Sequence, residues 1–245
     1  MTNFCDPRDW AQGRLHQEVL PLLSSCRKQE RVYLALGCHP HFADRLSGAG
    51  LLQLERPARK LGNRLVAIGE CGLDNSRKNA VDLEVQKRAF GAQVQLALKL
   101  NLPLVLHIRG WEEEGRQLLK ELKVPANYRI HRHCFTESWP VAASWLKLFP
   151  ASKLGITGLV TFPHASSVHE VARRLPLHHL LLETDAPYFL PSGVSKAAYG
   201  HRFSQPGHVL HVAAQVAVLR GVGVGEVLLA NRKNIQEVYR IDSGC

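Results

Sequence analysis

The stretch Leu180-Leu-Leu-Glu-Thr-Asp-Ala-Pro-Tyr-Phe189 is an apolar run that stops abruptly at two carboxylates and a proline. Apolar residues without alternation are typical of a parallel strand that is covered on both faces. A (β/α) barrel places its catalytic residues at the C-terminal ends of such strands. The stretch therefore predicts an α/β fold in which Glu183 and Asp185 lie at the functional edge of a parallel sheet.

Similar apolar runs recur along the chain and alternate with amphipathic stretches of helical periodicity. The predicted strands are Val32–Gly37, Leu65–Gly69, Pro103–Ile108, Tyr128–Ile130, Lys153–Ile156 and His179–Leu182, with Met1–Phe4 as the stub of a seventh. The predicted helices are Leu15–Cys26, Leu51–Leu61, Leu83–Leu100, Glu112–Leu122, Val141–Phe149, Val168–Leu175, Gly207–Arg220 and Gly225–Tyr239. A long loop at Ser192–Pro206 follows the last strand, which is a common place for a substrate contact.

The spacing of these strands indicates a barrel. They start roughly 25 to 38 residues apart, which is the length of one βα unit. No linker or low-complexity tract divides the 245 residues, and an ordinary barrel of this kind has eight strands. We therefore expect a single domain over residues 1–245, folded as a TIM-type (β/α) barrel that is truncated at its N-terminus by about one strand.

The composition favours a globular, basic protein. Hydrophobic residues make up 45% of the chain, and 31 Lys and Arg against 21 Asp and Glu give a net charge of +10. Such a charge favours DNA or RNA as a partner, because neutralising phosphates releases counterions. A basic protein without a nucleic-acid role is the alternative that the charge leaves open.

The N-terminus and the cysteines indicate an intracellular protein. The six cysteines form no Cys-x-x-Cys pair, which is typical of reduced thiols. Residues 1–10 lack the pattern of a signal peptide, and no apolar run reaches about 18 residues. We expect a location in the nucleus or cytoplasm, with no secretion and no membrane partner.

Four side chains with metal-ligand chemistry stand at the ends of separate apolar runs. They are Glu70, His107, His133 and Asp185. Taken singly, each has a structural alternative, as a helix-capping carboxylate or a core histidine. Because the carboxyl ends of parallel strands meet at one edge, we expect all four at the same barrel mouth. A Glu, two His and an Asp suit a divalent ion such as Mg²⁺, Mn²⁺ or Zn²⁺.

Two further residues point to the same edge of the predicted sheet. His39 follows the first full strand and could face the site, although a loop histidine beside a turn proline is the alternative. Arg109 lies two residues after His107 and so shares its face of the strand. Its planar fork of donors suits a phosphate oxygen, whereas an ion pair with Glu112 or Glu113 is the alternative.

Five segments, in this order, resemble the motifs of the TatD family of metal-dependent deoxyribonucleases, within the amidohydrolase-like group of TIM barrels. They are Gly37-Cys-His-Pro-His41, Gly69-Glu-Cys-Gly-Leu-Asp74, Leu106-His-Ile-Arg109, His133-Cys-Phe-Thr136 and Glu183-Thr-Asp-Ala-Pro-Tyr188. The resemblance covers essentially the whole chain. Asn3-Phe-Cys-Asp-Pro7 and Arg132-His-Cys-Phe-Thr136 are most similar to the animal branch of the family.

The resemblance implies a role for each candidate residue. Glu70 would bridge two divalent metal ions, and His107 and His133 would complete one of the two sites. Asp185 would bind the other ion and orient or deprotonate the attacking water, while His39 would stand near the scissile phosphate. The implied activity is hydrolysis of phosphodiester bonds in DNA or RNA, of the 3′ exonuclease type.

One departure from the family changes the expected metal content. The family's first strand carries a His-x-His pair that binds the same ion as Asp185, and no such pair precedes Asn3 in this sequence. We therefore expect one ion per chain instead of two, and an activity impaired by the missing strand. Two alternatives stay open: a non-catalytic variant that binds nucleic acid, and another metal-dependent hydrolase of the same barrel group. The sequence makes no prediction of oligomeric state.

Overall fold

The computed structural model of the chain describes residues 1–8, 17, 21, 32–46, 48–194 and 203–241. The predicted helix Leu15–Cys26 lies outside the described residues except for positions 17 and 21, as do residues 195–202 of the predicted loop. The chain divides into two compact units, Met1–Pro125 and Ala126–Cys245. The single domain over residues 1–245 stays a prediction.

In the first unit, parallel strands alternate with helices. The strands, which pair in this order, are β1 (Thr2–Phe4), β2 (Leu34–Leu36), β3 (Leu65–Asp74) and β4 (Leu104–Arg109). The helices are α1 (Gly48–Leu61), α2 (Leu83–Leu100) and α3 (Glu112–Glu121), with short 3-10 helices at Pro40–Arg45 and Gly62–Arg64. Most residues of β2, β3 and β4 are buried, as expected of a parallel sheet that is covered on both faces.

β3 is longer than predicted, and the extra length concerns Glu70. The sequence prediction ended this strand at Gly69, whereas β3 continues to Asp74. Gly69 and Cys71 pair with consecutive residues of β4, so Glu70 is the extra residue of a β-bulge. Gly69 permits this bulge because its φ is +147° and a Cβ there would lie 2.4 Å from the backbone oxygen of Val105. Glu70 therefore lies inside a strand that re-aims its side chain, not beyond a strand end.

The second unit has the same alternation. Its strands, paired in parallel and in sequence order, are β5 (Ile130–Arg132), β6 (Lys153–Ile156) and β7 (Leu180–Leu182). Its helices are α4 (Trp139–Leu148), α5 (Ser166–Arg174), α6 (Val209–Arg220) and α7 (Val224–Tyr239), with short 3-10 helices at Gly158–Thr161, Leu177–His179 and Pro206–His208. Two asparagines of α7 fasten it to β7. Asn231 accepts a hydrogen bond from the backbone N–H of Leu182 at 2.9 Å, and Asn234 donates to the carbonyl of Leu180 at 2.6 Å.

The strands within the described residues bear out the predicted βα pattern, with Thr2–Phe4 as the seventh, but the bounds of β5 were predicted wrongly. The predicted strand Tyr128–Ile130 lies at Ile130–Arg132. Its last two residues are polar, yet His131 is 4% exposed and Arg132 is 1% exposed. An apolar run could not reveal this strand end because its polar groups are buried against partners distant in sequence.

Among the described residues, no single helix is both long and apolar enough to cross a bilayer. Only Pro206–Arg220 and Val224–Tyr239 taken together, across a bend of 116°, reach that length and composition. The intracellular location stays a prediction.

Candidate functional site

Three side chains of the first unit form a group that can hold a metal ion; we call Glu70, His107 and His39 the first cluster. Each offers one ligand atom, and these atoms lie within 4.8 Å of one another. Glu70 comes from the β3 bulge, His107 from the middle of β4, and His39 directly follows the loop after β2 as the N-cap of a 3-10 helix. The rings of His39 and His107 meet edge to face, with centroids 4.3 Å apart.

Asp74 fixes the orientation of His107. The Nε2–H of His107 donates to Asp74 Oδ2 at 2.9 Å, and the carboxylate is 1% exposed. Burial alone would raise the pKa of Asp74, but hydrogen bonds from His107 and from Ser76 outweigh it and hold that pKa well below its usual value. The other ring nitrogen, Nδ1, lies 3.9 Å from Glu70 Oε2. A carboxylate on the far nitrogen is the usual surrounding of a metal-ligating histidine, so the donor set fits a divalent ion.

The first strand holds Glu70 from its other side. The Asn3 amide donates to Glu70 Oε1, and the backbone N–H of Glu70 donates to Cys5 Sγ at 3.4 Å. Burial, together with the nearby Glu70 carboxylate, raises the pKa of the Cys5 thiol, which is therefore protonated at neutral pH. Asn3 and Cys5 are two residues apart and can share a face of the chain, a signal that was available in the sequence.

Arg109 is exposed at the end of β4. Glu113, one of its two predicted alternative partners, pairs with Arg116 at 2.6 Å instead. Across the part of the chain that the structure describes, Arg109 has no carboxylate within ion-pair distance. The contact of Arg109 with phosphate stays a prediction, and no ion pair within the described residues competes with it.

In the second unit, His133, Cys134 and Asp185 form the second cluster. Their ligand atoms also lie within 4.8 Å of one another. His133 and Cys134 directly follow β5, and Asp185 comes three residues after β7. Cys134 and Asp185 both have left-handed backbone, with φ of 46° and 52°. A thiol, an imidazole and a carboxylate suit a borderline ion such as Zn²⁺.

Glu183 connects the second cluster to the C-terminal helix. It accepts hydrogen bonds from His133 Nδ1 at 2.7 Å and from the backbone N–H of Cys134. His131 Nε2 lies 3.4 Å from the same carboxylate, and His131 Nδ1 is 2.6 Å from the Tyr239 hydroxyl. Burial alone would raise the pKa of Glu183, but the two histidines lower it to about 2. Burial lowers the pKa of His131 to about 4, so Glu183 is ionised and His131 is neutral at neutral pH.

This chain of hydrogen bonds leaves His133 Nε2 on the side of Asp185, 3.5 Å from its Oδ1. As for His107, a carboxylate holds one ring nitrogen and the other belongs to the candidate ligand group. Sequence reasoning identified His133 and Asp185 but gave no role to Glu183, His131 or Tyr239. Each unit thus contains a histidine that is oriented by a carboxylate.

Comparison with known proteins identifies the family. The model of the TatD related DNase family matches residues 11–240. The chain belongs to this family. The human 3′-5′ RNA nuclease TATDN2 is 37% identical over 241 residues, which are 98% of this chain but 30% of the human protein. The 3′-5′ ssDNA/RNA exonuclease TatD of Erwinia tasmaniensis is 37% identical over 208 residues, or 84% of this chain and 77% of that protein.

A solved structure supports the same TatD assignment. The crystal structure of YjjV, a TatD homologue from Escherichia coli, matches 98% of this chain and 85% of its own with a TM-score of 0.79 and 28% identity. The fold class predicted from the sequence, an α/β fold of the metal-dependent hydrolase group, is thereby confirmed. Another TatD relative, from Bacillus subtilis, is named a metal-dependent hydrolase and is 32% identical over 211 residues. That name supports the use of a divalent metal.

The contact between Asp74 and His107 gives a first prediction for this TatD chain. Asp74→Asn replaces the carboxylate that fixes the tautomer of His107, and we expect the affinity for Mn²⁺ to fall about 10- to 100-fold. Calorimetric titration measures that affinity. Asp82→Asn is the control, because Asp82 caps α2 and asparagine is an equally good N-cap. Equal affinities of wild type and Asp74→Asn would show that this contact does not support a metal ligand.

Proposed function

We propose that this chain is a metal-dependent nuclease that hydrolyses phosphodiester bonds of DNA or RNA, in the manner of a 3′ exonuclease. The observation that carries the proposal is the first cluster, in which Glu70 on a bulge stands beside a histidine whose far nitrogen is held by Asp74. The names of the human and Erwinia relatives support nucleic acid as the substrate. The chain spans only 30% of the length of the human protein. The activity of the whole human protein is therefore assigned to this chain only as a proposal.

The proposed metal ligands are Glu70 and His107 of the first cluster and His133 and Asp185 of the second cluster. Carboxylate oxygens and neutral imidazole nitrogens suit Mg²⁺, Mn²⁺ or Zn²⁺, and the proposed content is one ion per chain instead of two. When bound, the ion would polarise a phosphoryl oxygen and lower the pKa of the attacking water.

The remaining roles belong to side chains that carry or accept a charge. Asp185, whose Oδ1 lies 3.5 Å from His133 Nε2, would accept the proton of the attacking water at a carboxylate oxygen. The Arg109 guanidinium would bind a non-bridging phosphate oxygen through its fork of donors. His39, whose ring contacts that of His107, would stand beside the scissile phosphate.

Cleavage of a labelled strand tests this proposal. With 5′-labelled single-stranded DNA or RNA and Mg²⁺ or Mn²⁺, we expect a ladder of products shortened from the 3′ end. Chelation of the metal by EDTA should stop the reaction, and excess Mn²⁺ should restore it.

Other results would favour the alternatives. Tight binding of the oligonucleotide without any product, at every metal concentration, would identify a non-catalytic nucleic-acid-binding protein. Turnover of an amide or carboxylic ester without turnover of a phosphodiester would identify another hydrolase of the barrel group. Because the net charge of +10 and Arg109 both favour phosphate, we do not expect turnover of an amide or carboxylic ester.

A further inference from the structure

Two aromatic side chains stand out in the second unit because they are exposed. Tyr188 is 66% exposed and Phe203 is 62% exposed, although burial normally stabilises large aromatic side chains. Tyr188 follows Asp185 by three residues, and its backbone N–H donates to the Asp185 carbonyl at 2.8 Å. One exposed ring therefore belongs to the same turn as a proposed metal ligand.

A backbone hydrogen bond brings the second aromatic residue to this turn. The N–H of Ser204, the neighbour of Phe203, donates to the carbonyl of Pro187, the neighbour of Tyr188, at 3.0 Å. Phe203 also belongs to the predicted loop Ser192–Pro206, which is a common place for a substrate contact. The two exposed rings are thus carried by adjoining backbone segments.

The turn that carries Tyr188 is fixed from behind. A Cβ on Gly158 would lie 2.1 Å from the backbone oxygen of Phe189, so the chain after Tyr188 passes directly against the glycine. Further along, the backbone N–H of Ser192 donates to Thr161 Oγ1 at 2.7 Å. A ring displayed on a fixed turn loses little conformational entropy when it binds a partner.

We infer that Tyr188 and Phe203 form a stacking platform for the bases of a single-stranded nucleic acid, next to Asp185. This inference rests on the proposed function and adds to it the two side chains that bind unpaired bases of the substrate. Aromatic faces stack on any unpaired base, whereas the bases of a duplex are already stacked on one another.

Charge and the state of other aromatic groups favour a nucleic acid over a protein as the occupant. The net charge of +10 attracts a polyanion, while it gives no advantage to an apolar protein surface. In α4 of the same unit, Trp145 is fully buried and the Trp139 ring is covered by the Arg174 guanidinium, 4.7 Å from its centroid. The faces of these two tryptophan rings are therefore covered by the protein itself, whereas the Tyr188 and Phe203 side chains are exposed.

Binding of a fluorescent oligonucleotide tests the platform without turnover. The probe is single-stranded DNA with 2-aminopurine at the two 3′-terminal positions, titrated with the full 245-residue chain in the presence of Ca²⁺. We expect Tyr188→Ala and Phe203→Ala each to weaken binding about tenfold and to remove the fluorescence change caused by stacking. Tyr188→Phe should bind like wild type, because it keeps the ring.

The controls separate stacking from general hydrophobic loss. Val218→Ala and Leu210→Ala remove side chains of α6 that are 75% and 59% exposed, and neither should change binding. An oligonucleotide with abasic 3′-terminal positions should bind wild type and the two alanine variants equally. Alanine variants of Tyr188 and Phe203 that bind the normal probe as tightly as wild type would overturn the inference.

The same variants distinguish this inference from the proposed function. If wild type cleaves and the alanine variants cleave and bind equally well, the platform is wrong and the nuclease stands. If no metal supports cleavage but the alanine variants lose the stacking signal, the nuclease is wrong and the platform stands. If wild type does not bind the probe at all, or binds a peptide library but no oligonucleotide, the platform is overturned.

Discussion

Replacing Gly155 with alanine is expected to destabilise the second unit by about 3 kcal/mol and to disrupt the second cluster. A Cβ at this position would lie 2.1 Å from Glu183 Oε1 and 2.7 Å from His131 Nε2. Moving either the Glu183 or the His131 side chain costs free energy, because both are hydrogen-bonded. Glu183 is held by His133 and a backbone N–H, and His131 is held by Tyr239. The substitution must therefore break a charged, partly buried hydrogen bond or displace β6.

Urea unfolding followed by tryptophan fluorescence measures this loss, because Trp145 lies in the core of the same unit. Gly225→Ala is the matched control. No atom lies within 4 Å of a Cβ at Gly225 in α7, so alanine there should leave stability unchanged or raise it by about 0.5–1 kcal/mol. A Gly155→Ala chain with the wild-type urea midpoint would contradict the packing of Glu183 over β6.

Glu70→Gln is expected to lower the nuclease rate by at least about a thousandfold, which corresponds to several kcal/mol of transition-state stabilisation. Glutamine keeps the size of the side chain and an oxygen for the Asn3 amide, but it removes the negative charge that faces His107. Single-turnover cleavage of a labelled oligonucleotide in Mn²⁺ measures the rate. The loss should come with loss of metal binding and without loss of fold.

Glu113→Gln provides the control for Glu70→Gln. Glu113 is an exposed carboxylate of α3 in the same unit, and its partner is Arg116. Its removal should leave both cleavage and metal affinity unchanged, because exposed ion pairs contribute little. If Glu70→Gln cleaves as fast as wild type, Glu70 is not a ligand and the proposed mechanism is wrong.

Most of what the sequence could predict came from the hydrophobicity of the buried strands. Runs such as Leu104–Leu106 are buried on both faces, so their hydrophobicity alone marks β4 and places His107 within it. Neighbouring parallel strands bring Glu70 and His107 together, and this proximity follows from strand order without any knowledge of side-chain contacts. The roles of these residues as ligands stay predictions.

The contacts of Asp74 and Tyr239 could not be predicted, each for a physical reason. Asp74 lies in a part of β3 that continues after a bulge, and a bulge follows from register with β4, which the sequence does not display. Tyr239 reaches His131 across 108 residues of sequence, a contact that only the packing of α7 on β7 creates. Local patterns identify candidate ligands, whereas tertiary packing selects the groups that orient them.

The central claim is that Glu70 and His107 help to hold a divalent ion. Calorimetric titration of Mn²⁺ into the full chain tests this claim most directly. We predict a saturable signal with one ion per chain, and its loss in both Glu70→Gln and His107→Ala while Glu113→Gln retains it. No saturable signal with wild type, or undiminished binding by Glu70→Gln and His107→Ala, would contradict the account.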